Sequence, residues 1–266
     1  MPKLAITGKG GVGKTTLAGL LSRLYAAEGH KVIAVDADPD ANLASSLGFP
    51  EEIVAKIAPI ADMKDLVEER TGAKPGTMGA MFKLNPRVDD IPDRFCARHS
   101  GVALLQMGTV KTGGGGCVCP ENVLLKQLVR HLLVQREEYI ILDMEAGIEH
   151  LGRGTAQSVD AMLVVVEPGR RSLQTAEAVH RLAADIGLHR IYVVGSKVHD
   201  ESERDFILEN VRGLPVLGFL SYSPLVIEAD LRGISAYDHD PQAIAEARQV
   251  RDRLEELLAA DRVGVS

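Results

Sequence analysis

The chain has 266 residues, 45% hydrophobic and 25% charged, an ordinary globular composition long enough to bury a sizeable core. Thirty Lys and Arg against 37 Asp and Glu leave a net charge of −7, which argues against nucleic acid as the main partner, because phosphate binding wants a basic face. No uninterrupted apolar run approaches the roughly 18–20 residues that span a bilayer, residues 1–7 lack a signal-peptide pattern, and three cysteines in so long a chain make no disulfide framework. The expectation is a cytoplasmic protein with neither a membrane nor a nucleic-acid partner.

Strand-length apolar runs alternate with helical patterns, the mark of a mostly parallel sheet covered by helices. Strands are expected at 3–7, 31–36, 102–107, 139–143, 161–166, 190–195 and 215–220. The run 161–166 is apolar at every position, as in a central parallel strand buried on both faces. Helices are expected at 15–28 (stopped by Gly29), 120–136 (opened by Pro120), 171–186 (stopped by Gly187) and 241–260. The last carries Ile244, Val250, Leu254 and Leu258 among charges of both signs and reads as a packed amphipathic helix. Residues 72–98 hold three prolines and three glycines without a clean period and read as an irregular excursion at one sheet edge. No linker divides the chain. The reading is one α/β domain over 1–266, a doubly wound sheet of the P-loop NTPase kind with helices on both faces.

Gly8, Lys9, Gly10, Gly11, Val12, Gly13, Lys14 and Thr15 match G-x-x-x-x-G-K-[ST] in full, after a strand and before a helix. The glycines let backbone N–H groups turn inward onto phosphate oxygens, and the following helix presents its positive end to them. Lys14 is assigned to the β- and γ-phosphates, the Thr15 hydroxyl to Mg²⁺ and Thr16 to the α-phosphate. Asp36 and Asp38 end the second strand two residues apart, at the edge where open α/β sheets bind ligands. They can hold Mg²⁺ through water and orient an attacking water; an Asp before Pro39 also starts turns or caps helices. Residues 140–143 form an apolar strand ending in Asp143, a second candidate magnesium ligand. A guanine site uses N-K-x-D; here Ser196 precedes Lys197 and His199 stands where the acid belongs, which disfavours GTP.

Cys117 and Cys119 sit between four glycines at 113–116 and the helix opened by Pro120. Thiols so close are poorly placed for a mutual disulfide but can share a soft or borderline metal: Zn²⁺, Ni²⁺ or an Fe–S cluster. Two ligands do not complete a tetrahedral site. Cys96 is a remote third candidate, or a small buried hydrophobe. Two Cys-x-Cys loops facing each other across a twofold axis supply four sulfurs, which makes a homodimer the simplest completion.

Lys9, a second lysine inside the phosphate loop, resembles the deviant loop of the MinD/ParA/nitrogenase-iron-protein class. Residues 9–16, 36–43, 116–122 and above all 143–154 together resemble the CooC-type accessory ATPases that assist nickel insertion into carbon monoxide dehydrogenase; the related acetyl-CoA synthase factors are similar. The resemblance runs to about residue 235. It implies that Lys9 crosses a homodimer interface to the partner's nucleotide, that Asp38 activates water within a first switch, and that the Gly147 N–H senses the γ-phosphate within a second. It implies catalytic roles for Lys9, Lys14 and Asp38, and base contact by residues 222–227, Pro224 among them, with Ser196 and Lys197. It further implies ATP and Mg²⁺ as cofactors, Ni²⁺ or Zn²⁺ between subunits on Cys117 and Cys119, and carbon monoxide dehydrogenase or acetyl-CoA synthase as client. Two other readings share the loop: an Fe–S electron-transfer ATPase like the nitrogenase iron protein, and a ParA/MinD-type positioning ATPase.

Overall fold

A computed structural model describes residues 1–76, 81–108, 119–147 and 151–263. Among the described residues eight strands follow in chain order: β1 (Lys3–Gly8), β2 (Val32–Ala37), β3 (Ala97–His99), β4 (Val102–Gln106), β5 (Tyr139–Met144), β6 (Ala161–Val166), β7 (Ile191–Val198) and β8 (Val216–Ser221). The helices are α1 (Lys14–Ala27), α2 (Leu43–Ser46), α3 (Glu51–Val54), α4 (Lys64–Thr71), α5 (Ile91–Phe95), α6 (Pro120–Gln135), α7 (Arg153–Ala156), α8 (Arg170–Asp185), α9 (Glu201–Asn210), α10 (Pro224–Leu231), α11 (Ala236–His239) and α12 (Pro241–Val263).

The strands form one sheet in the order β3-β4-β2-β5-β1-β6-β7-β8, parallel except for β3, which pairs antiparallel with β4. All seven expected strands are present within a few residues of their expected limits, and the expected doubly wound fold is what the chain adopts. The alternation within β6 shows how one apolar run serves two layers. Met162, Val164 and Val166 enter the core under α4, α6 and α8, whereas Ala161, Leu163 and Val165 enter the core under α1 and α12. Each of the six is fully buried. Period-two geometry sends neighbours to opposite faces, so a strand covered on both sides has no polar position.

Within 72–98 the described residues include α5 and the start of β3. Val88 and Ile91 are buried in the core, α5 carries proline in its first turn, and β3 adds an antiparallel edge strand. Ser100 and Gly101 turn the chain back into β4 with φ of 46° and 80°, a two-residue hairpin of the kind that suits strand twist. Salt bridges tie the excursion down: Arg70 and Arg94 both meet Asp90, and Arg136 meets Asp93. Among the described residues no helix is long and apolar enough to cross a membrane.

The connection leaving β1 crosses over β5 to reach β2, and the connection leaving β5 crosses over β1 to reach β6. The two run in opposite directions, so the loops at the carboxyl ends of β1 and β5 part and leave a crevice between them, the usual ligand site of such sheets.

Candidate functional site

The phosphate loop fills that crevice. Gly8 closes β1 at φ 149°, with β6 running so close that a Cβ there would collide with the Val165 carbonyl. Gly13 takes φ 100° at the start of α1, and the Ser196 hydroxyl lies 2.8 Å from where its Cβ would be. A side chain at either position would push the loop out of register. Val12 turns its side chain fully into the core, leaving only its backbone to the loop.

Lys14, the first residue of α1, is 6% exposed. Its Nζ lies 3.5 Å from the Lys9 carbonyl, to which it donates, and 3.6 Å from the Asp38 carboxylate. Asp38 also accepts the N–H of Asp40 at 3.0 Å, which holds the turn after β2. Lys14, Thr15, Thr16 and Asp38 line a cavity of about 580 Å³ with Gly10, Gly11 and Gly13. Glu145, Ala146, Lys197, Val226, Ile227 and Asp230 are among its other walls. That is room for a nucleotide-sized ligand. Lys9 is half-buried beside it.

Asp36 and Asp143 stand opposite each other on paired strands, in register, and both are buried. Asp143 has no hydrogen-bond partner at either carboxylate oxygen. Burial, reinforced by the negative charges of Asp36 and Asp38, pushes its carboxyl up to about 7; the Thr15 hydroxyl and the Lys14 ammonium oppose the shift without giving it a bond of regular geometry. A bare buried carboxylate next to a threonine hydroxyl is an oxygen donor set that fits a hard divalent cation such as Mg²⁺. Asp36 differs. Its oxygens accept the N–H of Leu43 at 3.0 Å and of Asp38 at 3.3 Å, so it fastens the ends of the 38–43 turn to β2. Burial pushes it up to about 6, and those two N–H groups pull against the shift. The two-residue spacing therefore puts Asp36 and Asp38 in different surroundings. Asp38 lies beyond the end of β2 and opens on the cavity, while Asp36 is turned under the loop.

Near the end of β7, Lys197 adopts φ 56° and donates from Nζ to the Gly11 carbonyl at 2.5 Å, closing over the phosphate loop. Ser196 is buried against Gly13. A small adjoining cavity of about 70 Å³ is bounded by Thr16, Ser196, Lys197, Tyr222, Ser223 and Val226 among others. Pro224 opens α10 exposed and lines neither cavity. Gly147 is buried, and its N–H points to the Thr7 hydroxyl and the Glu145 carbonyl instead of the cavity. Thr7 has no part in the sequence motifs; its signal is a hydroxyl that follows the apolar run Leu4, Ala5 and Ile6 in β1. Cys119 is buried in the position before α6, Cys96 is half-buried beside the core, and burial raises the Cys96 thiol to about 12. Cys117 lies outside the described residues, and among the described residues no His, Cys, Asp or Glu cluster of metal-binding size occurs.

A family model for the CobQ/CobB/MinD/ParA nucleotide binding domain matches residues 3–236. The chain belongs to the CobQ/CobB/MinD/ParA nucleotide-binding family. Within this family it resembles the carbon monoxide dehydrogenase accessory protein CooC of Rhodospirillum rubrum, with 48% identity over 264 residues that cover 98% of this chain and 97% of CooC. It is likewise similar to an ATP-binding protein of Methanocaldococcus jannaschii, 50% identical over 87% of this chain and 89% of that one. The likeness to CooC agrees with the family read from residues 9–16, 36–43, 116–122 and 143–154. In fold, the family member in the MinC:MinD cell division complex of Aquifex aeolicus superposes with a TM-score of 0.69 over 96% of each chain at 20% identity.

Proposed function

We propose that the chain hydrolyses ATP as a maturation factor for carbon monoxide dehydrogenase, or for acetyl-CoA synthase. In this reading two copies close around ATP and carry Ni²⁺ or Zn²⁺ on Cys117 and Cys119 of both. The observation that carries the ATPase part is the cavity itself, lined by Lys14, Thr15 and Asp38, with the unpartnered oxygens of Asp143 buried behind it beside the Thr15 hydroxyl. The 48% identity to CooC supplies the client.

The loop N–H groups of residues 10–15 cradle the β-phosphate and Lys14 bridges the β- and γ-phosphates. Entry of the triphosphate separates Lys14 from Asp38, and the freed Asp38 carboxylate orients water against the γ-phosphorus and takes its proton. The new bond is water oxygen to phosphorus; the bond to the β–γ bridging oxygen breaks, and ADP and phosphate result. Thr15 and Asp143 would hold Mg²⁺, which neutralises phosphate charge when bound, and Asp36 keeps the neighbouring turn in place. Lys197 closes the base side, with Ser196 and the segment at Pro224 as neighbours of adenine. Lys9 reaches the nucleotide of the second copy. Cys119 is buried, so closure of the dimer has to turn this thiol outward.

If ATP and metal both favour the dimer, each tightens the other. Thiolates bind metal only when deprotonated, so metal affinity falls in acid. The test is to purify the protein anaerobically, load Ni²⁺, remove the excess, and measure nickel, zinc and iron per chain beside molar mass by light scattering, with and without a non-hydrolysable ATP analogue. The expected result is one Ni²⁺ or Zn²⁺ per two chains at dimer mass, with tighter binding when the analogue is present. Four irons per dimer in the protein as isolated would instead support an electron-transfer ATPase. A metal-free, reduced sample would leave the ATPase and remove the metal carrier.

A further inference from the structure

Thr7 is fully buried, one residue before the phosphate loop begins. Its hydroxyl donates to the Glu145 carbonyl at 2.7 Å and accepts the Gly147 N–H at 3.3 Å. The Gly147 carbonyl lies 3.2 Å away as a second acceptor. The same Gly147 N–H also reaches the Glu145 carbonyl at 2.7 Å. One hydroxyl thus holds both ends of the turn that follows β5, and the middle of that turn, Glu145 and Ala146, forms cavity wall.

We propose that Thr7 is the positioning residue that sets this turn's response to the γ-phosphate. The inference rests on the γ-phosphate-sensing role that the family resemblance implies for Gly147. An N–H directed at Thr7 is not directed at a phosphate, so binding a triphosphate through Gly147 has to break the Thr7 bond first. The hydroxyl can follow the change at little cost. A threonine hydroxyl has one proton and rotates about a single bond, and two carbonyls lie within its reach, so it exchanges Glu145 for Gly147 as the turn shifts. Each position of the turn is then a satisfied arrangement, which makes a two-state element of it. A diphosphate makes no demand on Gly147 and leaves the Thr7 bond intact. Thr7 therefore weights the resting arrangement and lowers affinity for ATP relative to ADP.

The test compares wild type, Thr7→Val, Thr7→Ser and Thr7→Cys. The readouts are the affinities for ADP and for a non-hydrolysable ATP analogue, with the Gly147 amide followed by ¹⁵N NMR. In wild type the amide signal should move with the analogue and stay in place with ADP. Valine keeps the shape and loses the hydroxyl, so the analogue-to-ADP affinity ratio should rise about five- to tenfold, the weight of one net hydrogen bond. Serine keeps the hydroxyl and should restore the wild-type ratio, which a purely structural role for the side chain would not require. Cysteine, a weak donor of intermediate size, should shift the ratio in the direction of valine and serves where Thr7→Val does not fold. A moving Gly147 signal with an unchanged ratio in the valine or cysteine variant overturns the role of Thr7 and leaves the sensor standing. A Gly147 signal indifferent to the analogue in wild type overturns both.

Discussion

The ends of β2 and β5 carry the same residue type at the same level of the sheet, yet they are built for different work. Asp36 and Asp143 are register partners, 2% and 1% exposed, and burial is the largest cause of the raised pKa of each. Burial does not tell them apart. Hydrogen-bond accounting does. Asp36 commits one oxygen to Leu43 and the other to Asp38, and so belongs to the fold of the loop it holds. Asp143 has neither oxygen satisfied. An uncompensated buried carboxylate is unfavourable for the free protein, and such groups concentrate where a ligand supplies the missing partner.

The largest expected effect separates the two on those terms. Asp143→Asn should stabilise the nucleotide-free chain at pH 8, by an amount on the order of 3 kcal/mol, because it removes a charge that burial opposes. The sign follows from the raised pKa, about 7 against an ordinary value of 3.8. The folded chain binds this proton more tightly than the unfolded one. Its contribution is fully present below about pH 4 and is lost as pH rises through about 7. Wild type should therefore lose stability between pH 4 and pH 7, with Asp36 adding to the slope up to about pH 6. Urea midpoints at pH 5 and pH 8 measure it, and the asparagine variant should show the shallower dependence. An equal slope in both proteins would mean that Asp143 is compensated after all. The same variant should lose Mg²⁺-dependent tightening of nucleotide, the trade expected where a site is kept at the expense of stability.

Asp36→Ala should act in the opposite direction. It leaves the buried N–H of Leu43 without an acceptor and frees the N–H of Asp38, for a loss of about 2 kcal/mol at pH 5. Above about pH 6 relief of the buried charge works against that loss. The loss should be confined to residues 38–43 in hydrogen exchange, with Leu43 losing its protection first. Uniform loss across the sheet would make Asp36 a core residue and not a loop fastener.

How far each carboxylate was legible in the sequence follows from the kind of signal it gives. The phosphate loop, the strands and the end of β5 are local patterns, so Lys14, Thr15 and Asp143 could be named from spacing alone. The two-residue spacing of Asp36 and Asp38 does not say which way each carboxylate turns, because the strand ends at Ala37 and the chain has turned by Asp38. What separates Asp36 from Asp143 is a bond to Leu43, seven residues on and in another element. Thr7 is more remote still, 140 residues from Gly147. Such contacts exist only once the sheet has brought β1 beside β5. The hairpin into β4 was missed for a different reason: β3 has three residues and no periodicity, and the dipeptide Ser100-Gly101 was its one local sign.

The smallest expected effect tests whether Asp36 is the main anchor of its loop. The far end of the 38–43 turn runs into α2, and Ser46 at the end of α2 donates its hydroxyl to the Thr15 carbonyl at 2.9 Å. Gly19 on α1 makes the approach possible, since a Cβ there would collide with the Ser46 hydroxyl, and the Ser46 carbonyl accepts the Ser235 hydroxyl at 2.8 Å. Thr15 lies inside α1, so its carbonyl sits within the helix ladder as well as accepting from serine. Ser46→Ala should therefore cost about 1 kcal/mol in denaturant unfolding, less than Asp36→Ala. That order reflects a charged acceptor with two donors against a neutral donor whose acceptor sits in a helix. If Ser46→Ala proved the more costly, the loop would be anchored from α1, through the very residue whose hydroxyl faces Asp143. The 38–43 turn and the phosphate loop would then move as one body, and Asp36 would only follow.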